Sequence, residues 1–183
     1  MGLDITAYSH LSSVGNHTDG QWCYDEDSEG DRQHIMAFAY DDFPRSFEGI
    51  PVLATPRGYL WGGCYEPTAA TKTHKFCAGS YTGYGHWRDD LARQFNPQGH
   101  HCGDSSGEPC TEPDPDKPFY RLIWFADNEG VIGPSAAASL LADFRAYATR
   151  YDPEHYPRHS LLRYADWMQA CTLAAQGGLI VFH

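Results

Sequence analysis

The stretch AGSYTGYGHWRDDLA, Ala78 to Ala92, decides how the chain is read, because it joins a strand pattern to a helix pattern through three closely spaced glycines. Upstream, Thr73 to Ser80 reads as a strand. Downstream, Trp87, Leu91 and Phe95 recur at helical spacing while Arg88, Asp89, Asp90 and Arg93 fall on other faces. That is a helix of two to three turns, ended by Asn96-Pro97. Between the two the spacing predicts a glycine-rich turn in which backbone can approach a partner. Tyr81, Tyr84 and Trp87 would present flat faces there, beside the fixed fork of Arg88.

Working outward, Asp4 to Leu11 alternates Ile5 and Ala7 against Thr6 and Tyr8 and suits a first strand. HIMAFAY (34–40) and Ile50 to Ala54 are short apolar runs bounded by Pro and Gly, hence strands or one short helix and a strand, while Pro44, Pro51, Pro56 and Pro67 keep the connections irregular. FYRLIWFA (119–126) is the strongest strand candidate, apolar on both faces apart from Arg121, as a central strand between two layers would be. It runs into DNEGVIGP (127–134), a second polar, glycine-rich turn. Gly133-Pro134 then opens a helix with Ala137, Leu141, Phe144 and Ala148 as its buried stripe. A last helix from Ser160 turns Leu161, Tyr164, Met168, Cys171 and Ala175 inward. Gly177-Gly178 stops it, and LIVFH (179–183) returns as a terminal strand. Strands and helices mix without βαβ regularity. The expected fold is therefore α+β, a single domain over 1–183 with a mostly antiparallel sheet and about three helices packed on it. Residues 96–118, with five prolines and three glycines, form a Pro/Gly-rich flap or insertion.

Composition narrows the partners. The hydrophobic fraction of 42% and aromatic fraction of 14% mark a globular chain, and 183 residues bury a core without help from a metal or disulfide. A formal charge of −11, with no run of Lys or Arg, opposes long nucleic acid and anionic membrane. What remains open is a small ligand, a basic protein or a second copy of the chain. Neither a leader nor a spanning apolar segment is legible, so a soluble, cytoplasmic protein is expected, with its six cysteines reduced.

The chemistry-bearing residues gather at the two glycine turns. If both strands lie in one sheet, both turns can emerge at one edge. Backbone N–H groups at a helix start and a nearby arginine favour an anion. Tyr81, Tyr84, Trp87 and Arg88 together suit an aromatic anion such as a nucleotide, with Ser80 in the same segment and Asp127 and Glu129 accepting from its base or ribose. The bland alternatives are a core role for Trp87 and a salt bridge from Arg88 to Asp127 or Glu129. Neither turn matches the dinucleotide or P-loop patterns. A hydrolase using Asp127 and Glu129 with His86 or His183 is an alternative, opposed by carboxylate repulsion of an anionic substrate. His74 to Cys77, and His100, His101 and Cys102 with Cys110, supply zinc-type donors but no CxxC pair, so no metal or cofactor is expected. A Cys102–Cys110 disulfide would need oxidising conditions. The acidic loop 17–32 lacks the closing glutamate of a calcium loop.

GLDITAYS at the start, SYTGYGHWRDDLA, FADNEGVIGPSAAASLLADF and the closing GGLIVFH resemble a family of small uncharacterised proteins of bacteriophages and of bacterial, often prophage-bearing, genomes. Ser80, Tyr81, Gly83, Tyr84, Trp87 and Arg88 match one of its segments, and Asp127, Glu129, Gly130, Gly133 and Pro134 another. The cysteines and the 96–118 flap lie outside its pattern. The resemblance implies a setting, a phage accessory protein inside the bacterial host, rather than a mechanism; by analogy with phage accessory proteins of this size, the expected role is to counter host defence, by sequestering a nucleotide signal or by masking a basic host protein.

Overall fold

The computed structural model describes residues 2–16, 35–37, 63–97, 113–124, 130–148 and 158–183. Their element order is β1 (Gly2–Tyr8), β2 (Leu11–Asn16), β3 (Ile35–Ala37), β4 (Gly63–Pro67), β5 (Thr73–Ser80), α1 (Tyr81–Phe95), α2 (Tyr120–Trp124), β6 (Gly130–Ile132), α3 (Pro134–Tyr147), α4 (Arg158–Ala174) and β7 (Leu179–Phe182). The fold is α+β. One sheet has the strand order β5-β1-β7-β6 and the other β2-β4-β3, and every strand pair is antiparallel.

The two termini make the centre of the larger sheet. β1 and β7 pair through Ile5–Phe182 to Tyr8–Leu179, so the apolar LIVF run sits between two strands, as its burial requires. Leu3, Ile5 and Ala7 of β1, Ala78 of β5, Ile180 and Phe182 of β7 and Ile132 of β6 share the core with the helices. α4 lies against β1, β5 and β7, α1 against β5 and β1, and α3 covers α4. Trp167 is the pivot of this layer, fully buried. It stacks on Trp87, on Tyr84 and, edge on, against Phe76. A second aromatic group, Phe119 with Phe95, Phe144 and Tyr164, fills the space under α2 and α3.

Three sequence expectations are corrected. FYRLIWFA does not form a central strand: Tyr120–Trp124 is a short helix entered at Phe119, whose φ is 60°. Phe119, Leu122 and Ile123 are all buried and recur at i, i+3 and i+4, the helical period that an unbroken apolar run conceals. The glycine turn expected before Trp87 is instead the first turns of α1, which starts at Tyr81 and contains Gly83 and Gly85. Ser80 caps it, its hydroxyl accepting from the Gly83 N–H at 3.0 Å. Two glycines in a helix interior cost about 1 kcal/mol each. Burial of Tyr84, Trp87 and Leu91 offsets this, since tertiary packing rather than propensity holds most helices. Ala148 lies beyond the end of α3 and is exposed.

The expected α3 stripe of Ala137, Leu141 and Phe144 is buried, and Pro134 takes the first helical position behind Gly133. In α4, Tyr164 and Cys171 are buried and Met168 and Ala175 partly so. Residues 17–32, 34, 38–40, 50–54, 98–112 and the side chain of Leu161, on which further expectations fell, are outside the described residues.

Candidate functional site

The start of α1 follows the edge strand β5 through Gly79, whose φ of 99° only glycine adopts without strain. Against this corner lies Arg163 of α4. Its Nη1 donates to the Gly83 carbonyl at 2.9 Å. A Cβ built on Gly79 would stand 2.5 Å from Arg163 Nη2, so Gly79 leaves room for the guanidinium, whereas one on Gly83 would meet the same atom at 3.6 Å, an ordinary contact, and the Ser80 hydroxyl oxygen at 3.1 Å. The first turn of α1 contains no acidic residue. A cation therefore sits beside the positive end of a helix. Tyr81, 38% exposed, is the exposed large hydrophobic residue of this corner.

The other expected site residues divide. Tyr84 and Trp87 are 0% and 1% exposed and stack with Trp167 at 5.8 Å each, so they are core rather than open platforms. Arg88 is partly buried behind them. Its guanidinium carbon lies 4.8 Å over the Tyr84 ring, and Nη1 donates to the Ile123 carbonyl at 3.4 Å, tying α1 to α2. Ser80 is engaged as the helix cap. Asp127 and Glu129 lie outside the described residues.

The two helix starts do not converge. α3 is preceded by β6, at the far edge of the sheet from β5. Three antiparallel steps separate the two strands, so they point in opposite directions. Ser80 is level with Gly2 of β1, whereas Ile132 is level, through Ile180, with Ala7. At ordinary strand dimensions that is about 14 Å across the sheet and about 17 Å along it. A single pocket formed by both helix N-termini is thus replaced by one corner, at α1.

Of the candidate bases, His86 projects from α1 with its side chain 64% exposed and its Nδ1 3.9 Å from Asp89. His183 meets the Thr6 hydroxyl at 3.0 Å on the sheet. Of the candidate zinc donors, His74 donates to the Asp166 carboxylate at 3.2 Å and stacks on Phe76. Cys77, three residues on in the same strand, belongs to the opposite face. Cys102 and Cys110, with His100 and His101, are outside the described residues. Among the described residues no group of three or more His, Cys, Asp or Glu side chains could hold a metal ion, and no helix is long and apolar enough to cross a membrane.

Sequence reasoning missed Arg163, Asp166 and Trp167. Trp167 was legible, standing three residues after Tyr164 in the buried stripe. Arg163 was not, because its partner carbonyl is eighty residues away in the chain. No protein-family model matches the chain, and neither a curated protein nor a solved structure does.

Proposed function

We propose that the chain is a phage-type accessory protein that binds a small anionic, nucleotide-like ligand without turnover, at the start of α1. One observation carries this reading: the Arg163 guanidinium lies against Gly79 and Gly83, beside the N-terminus of a helix whose first turn has no carboxylate. Two positive groups set side by side repel, and an anion between them relieves both. Arg163 gives one N–H to the Gly83 carbonyl. A guanidinium carries five, so the fork that suits a phosphate is still available.

Ser80 contributes a hydroxyl at the same corner, and Tyr81 an exposed ring. Stacking of a base on such a ring is worth ~1–3 kcal/mol. Tyr84, Trp87 and Arg88 serve from behind, fixing α1 against α4 and α2 so that the corner keeps its shape. In the setting that the phage resemblance implies, the ligand is a nucleotide signal of host defence, held rather than consumed.

Thermal unfolding in the presence of nucleotides, cyclic nucleotides and pyrophosphate tests the proposal. A ligand at 100 times its dissociation constant adds ~2.7 kcal/mol to stability. The shift should vanish in Arg163→Ala and shrink in Tyr81→Ala, and the ligand should be recovered unchanged after long incubation. Absence of any shift at millimolar concentration would remove the reading.

A further inference from the structure

Arg163 has a carboxylate within one helical turn and does not pair with it. Asp166 follows three residues later on α4, and residues three apart on a helix are neighbours on its surface. Yet among the described residues Arg163 makes no ion pair. Its guanidinium lies at Gly79 and Gly83, whereas the Asp166 carboxylate accepts from His74 Nε2 at 3.2 Å. Gly79 and His74 stand five residues apart on β5, so the two charges of α4 are drawn to separate points of one strand. The imidazole that holds Asp166 is itself held. Its ring stacks on Phe76, with centroids 5.4 Å apart, and Phe76 meets Trp167 edge on.

This division of partners matters to an anion. A carboxylate on Arg163 would cancel its charge and occupy the N–H groups of the fork. Asp166 is the sole carboxylate of α4, β5 and the first turn of α1, the three elements that make the corner. We infer that His74 is a positioning residue for the anion site: by engaging Asp166 it keeps that carboxylate off Arg163 and leaves the guanidinium open to a phosphate. The inference rests on the reading of this corner as an anion site and adds what keeps the site open.

The full chain, His74→Phe, Asp166→Asn and the double variant are titrated at low salt with inorganic pyrophosphate and with adenosine diphosphate. Phenylalanine keeps a ring to stack on Phe76 and removes the donor. Asp166, released, then turns to Arg163, and binding should weaken about two- to fivefold, the worth of an exposed ion pair. Asp166→Asn should bind at least as tightly as the parent. The double variant should match Asp166→Asn, a rescue that lost packing at His74 would not allow. His74→Gln, whose amide can donate from the place of Nε2, should stay near the parent. Without ligand, phenylglyoxal labelling of Arg163, read by peptide mass spectrometry, should slow in His74→Phe and recover in the double variant. Binding that His74→Phe leaves unchanged, a double variant as weak as His74→Phe, or unaltered labelling would each overturn the inference alone. A parent that binds neither probe would remove the anion site, and the inference with it.

Discussion

Arg163 occupies the volume that a side chain at Gly79 would need: a Cβ there would meet Nη2 at 2.5 Å, on a backbone whose φ is 99°. Gly79→Ala therefore combines two costs, the positive φ at about 1–2 kcal/mol and displacement of the guanidinium. The second is removable. In an Arg163→Ala background the same substitution should cost only the backbone part, so denaturant unfolding of the four proteins should give a positive coupling between the sites. Strict additivity would mean that the guanidinium moves aside freely.

Trp167 and Trp87 lie with centroids 5.8 Å apart and planes 10° from parallel, and both are buried. Removing either ring opens a cavity where α1, α4 and the sheet meet. Trp167→Ala and Trp87→Ala should each cost about 3–5 kcal/mol in urea unfolding. Tyr81→Ala, at the exposed corner, should stay within about 0.5 kcal/mol. A comparable loss at Tyr81 would show that its ring supports the fold rather than faces a ligand.

Ser80→Ala removes the hydroxyl that accepts from Gly83 N–H, and Gly83 itself is a poor helix former. The expected loss is about 1 kcal/mol. It should appear in hydrogen exchange as selective loss of protection in the first turn of α1, while the amides around Leu91 keep theirs.

How legible the fold was depended on how far each interaction reaches along the chain. Gly133-Pro134 and the α3 stripe were readable because caps and periodicity are local. FYRLIWFA was misread because an unbroken apolar run carries no period. What makes it a helix is distant: Asp143 accepts the Phe119 N–H at 2.9 Å, and Phe144 packs on the Phe119 ring. The start of α1 was misread for the opposite reason, since the local signal of Gly83 and Gly85 is overruled by burial of Tyr84 against Trp167. At the candidate site Tyr81 and Ser80 were nameable, but Arg163 enters through a contact that spans the chain from Gly83.

The reversal into the central strand β7 should be the least tolerant point of the backbone. A Cβ at Gly178 would run into the Tyr8 carbonyl, and nothing there is a flexible side-chain end. The flanking backbone is pinned as well: His10 N–H donates to the Gln176 carbonyl at 3.0 Å and Leu11 N–H to that of Gly177 at 2.9 Å. Gly178→Ala should cost about 3 kcal/mol or more, at the extreme of single substitutions. Gly177→Ala, with open space around it and a φ of 74°, should cost only the backbone strain of about 1–2 kcal/mol. Equal losses at the two positions would contradict the clash.

Asp143 should give the chain a stability that declines as pH rises out of the acid range. Burial raises its pKa above the ordinary aspartate value, and the Phe119 N–H and the charge of Arg121 only partly oppose this. The folded state then binds the proton more tightly than the unfolded one, whose carboxyl titrates near 3.9. The favourable contribution is fully present below that unfolded value and is lost as pH climbs through the raised folded one. Asp143→Asn keeps an acceptor for Phe119 N–H without a charge to desolvate. It should flatten the pH dependence of unfolding above about pH 4 and match or exceed the parent's stability at pH 7. Asp143→Ala leaves the Phe119 N–H without its acceptor and should lose about 1–3 kcal/mol at every pH. If the asparagine variant instead kept the parent's pH profile, another group would be responsible for it.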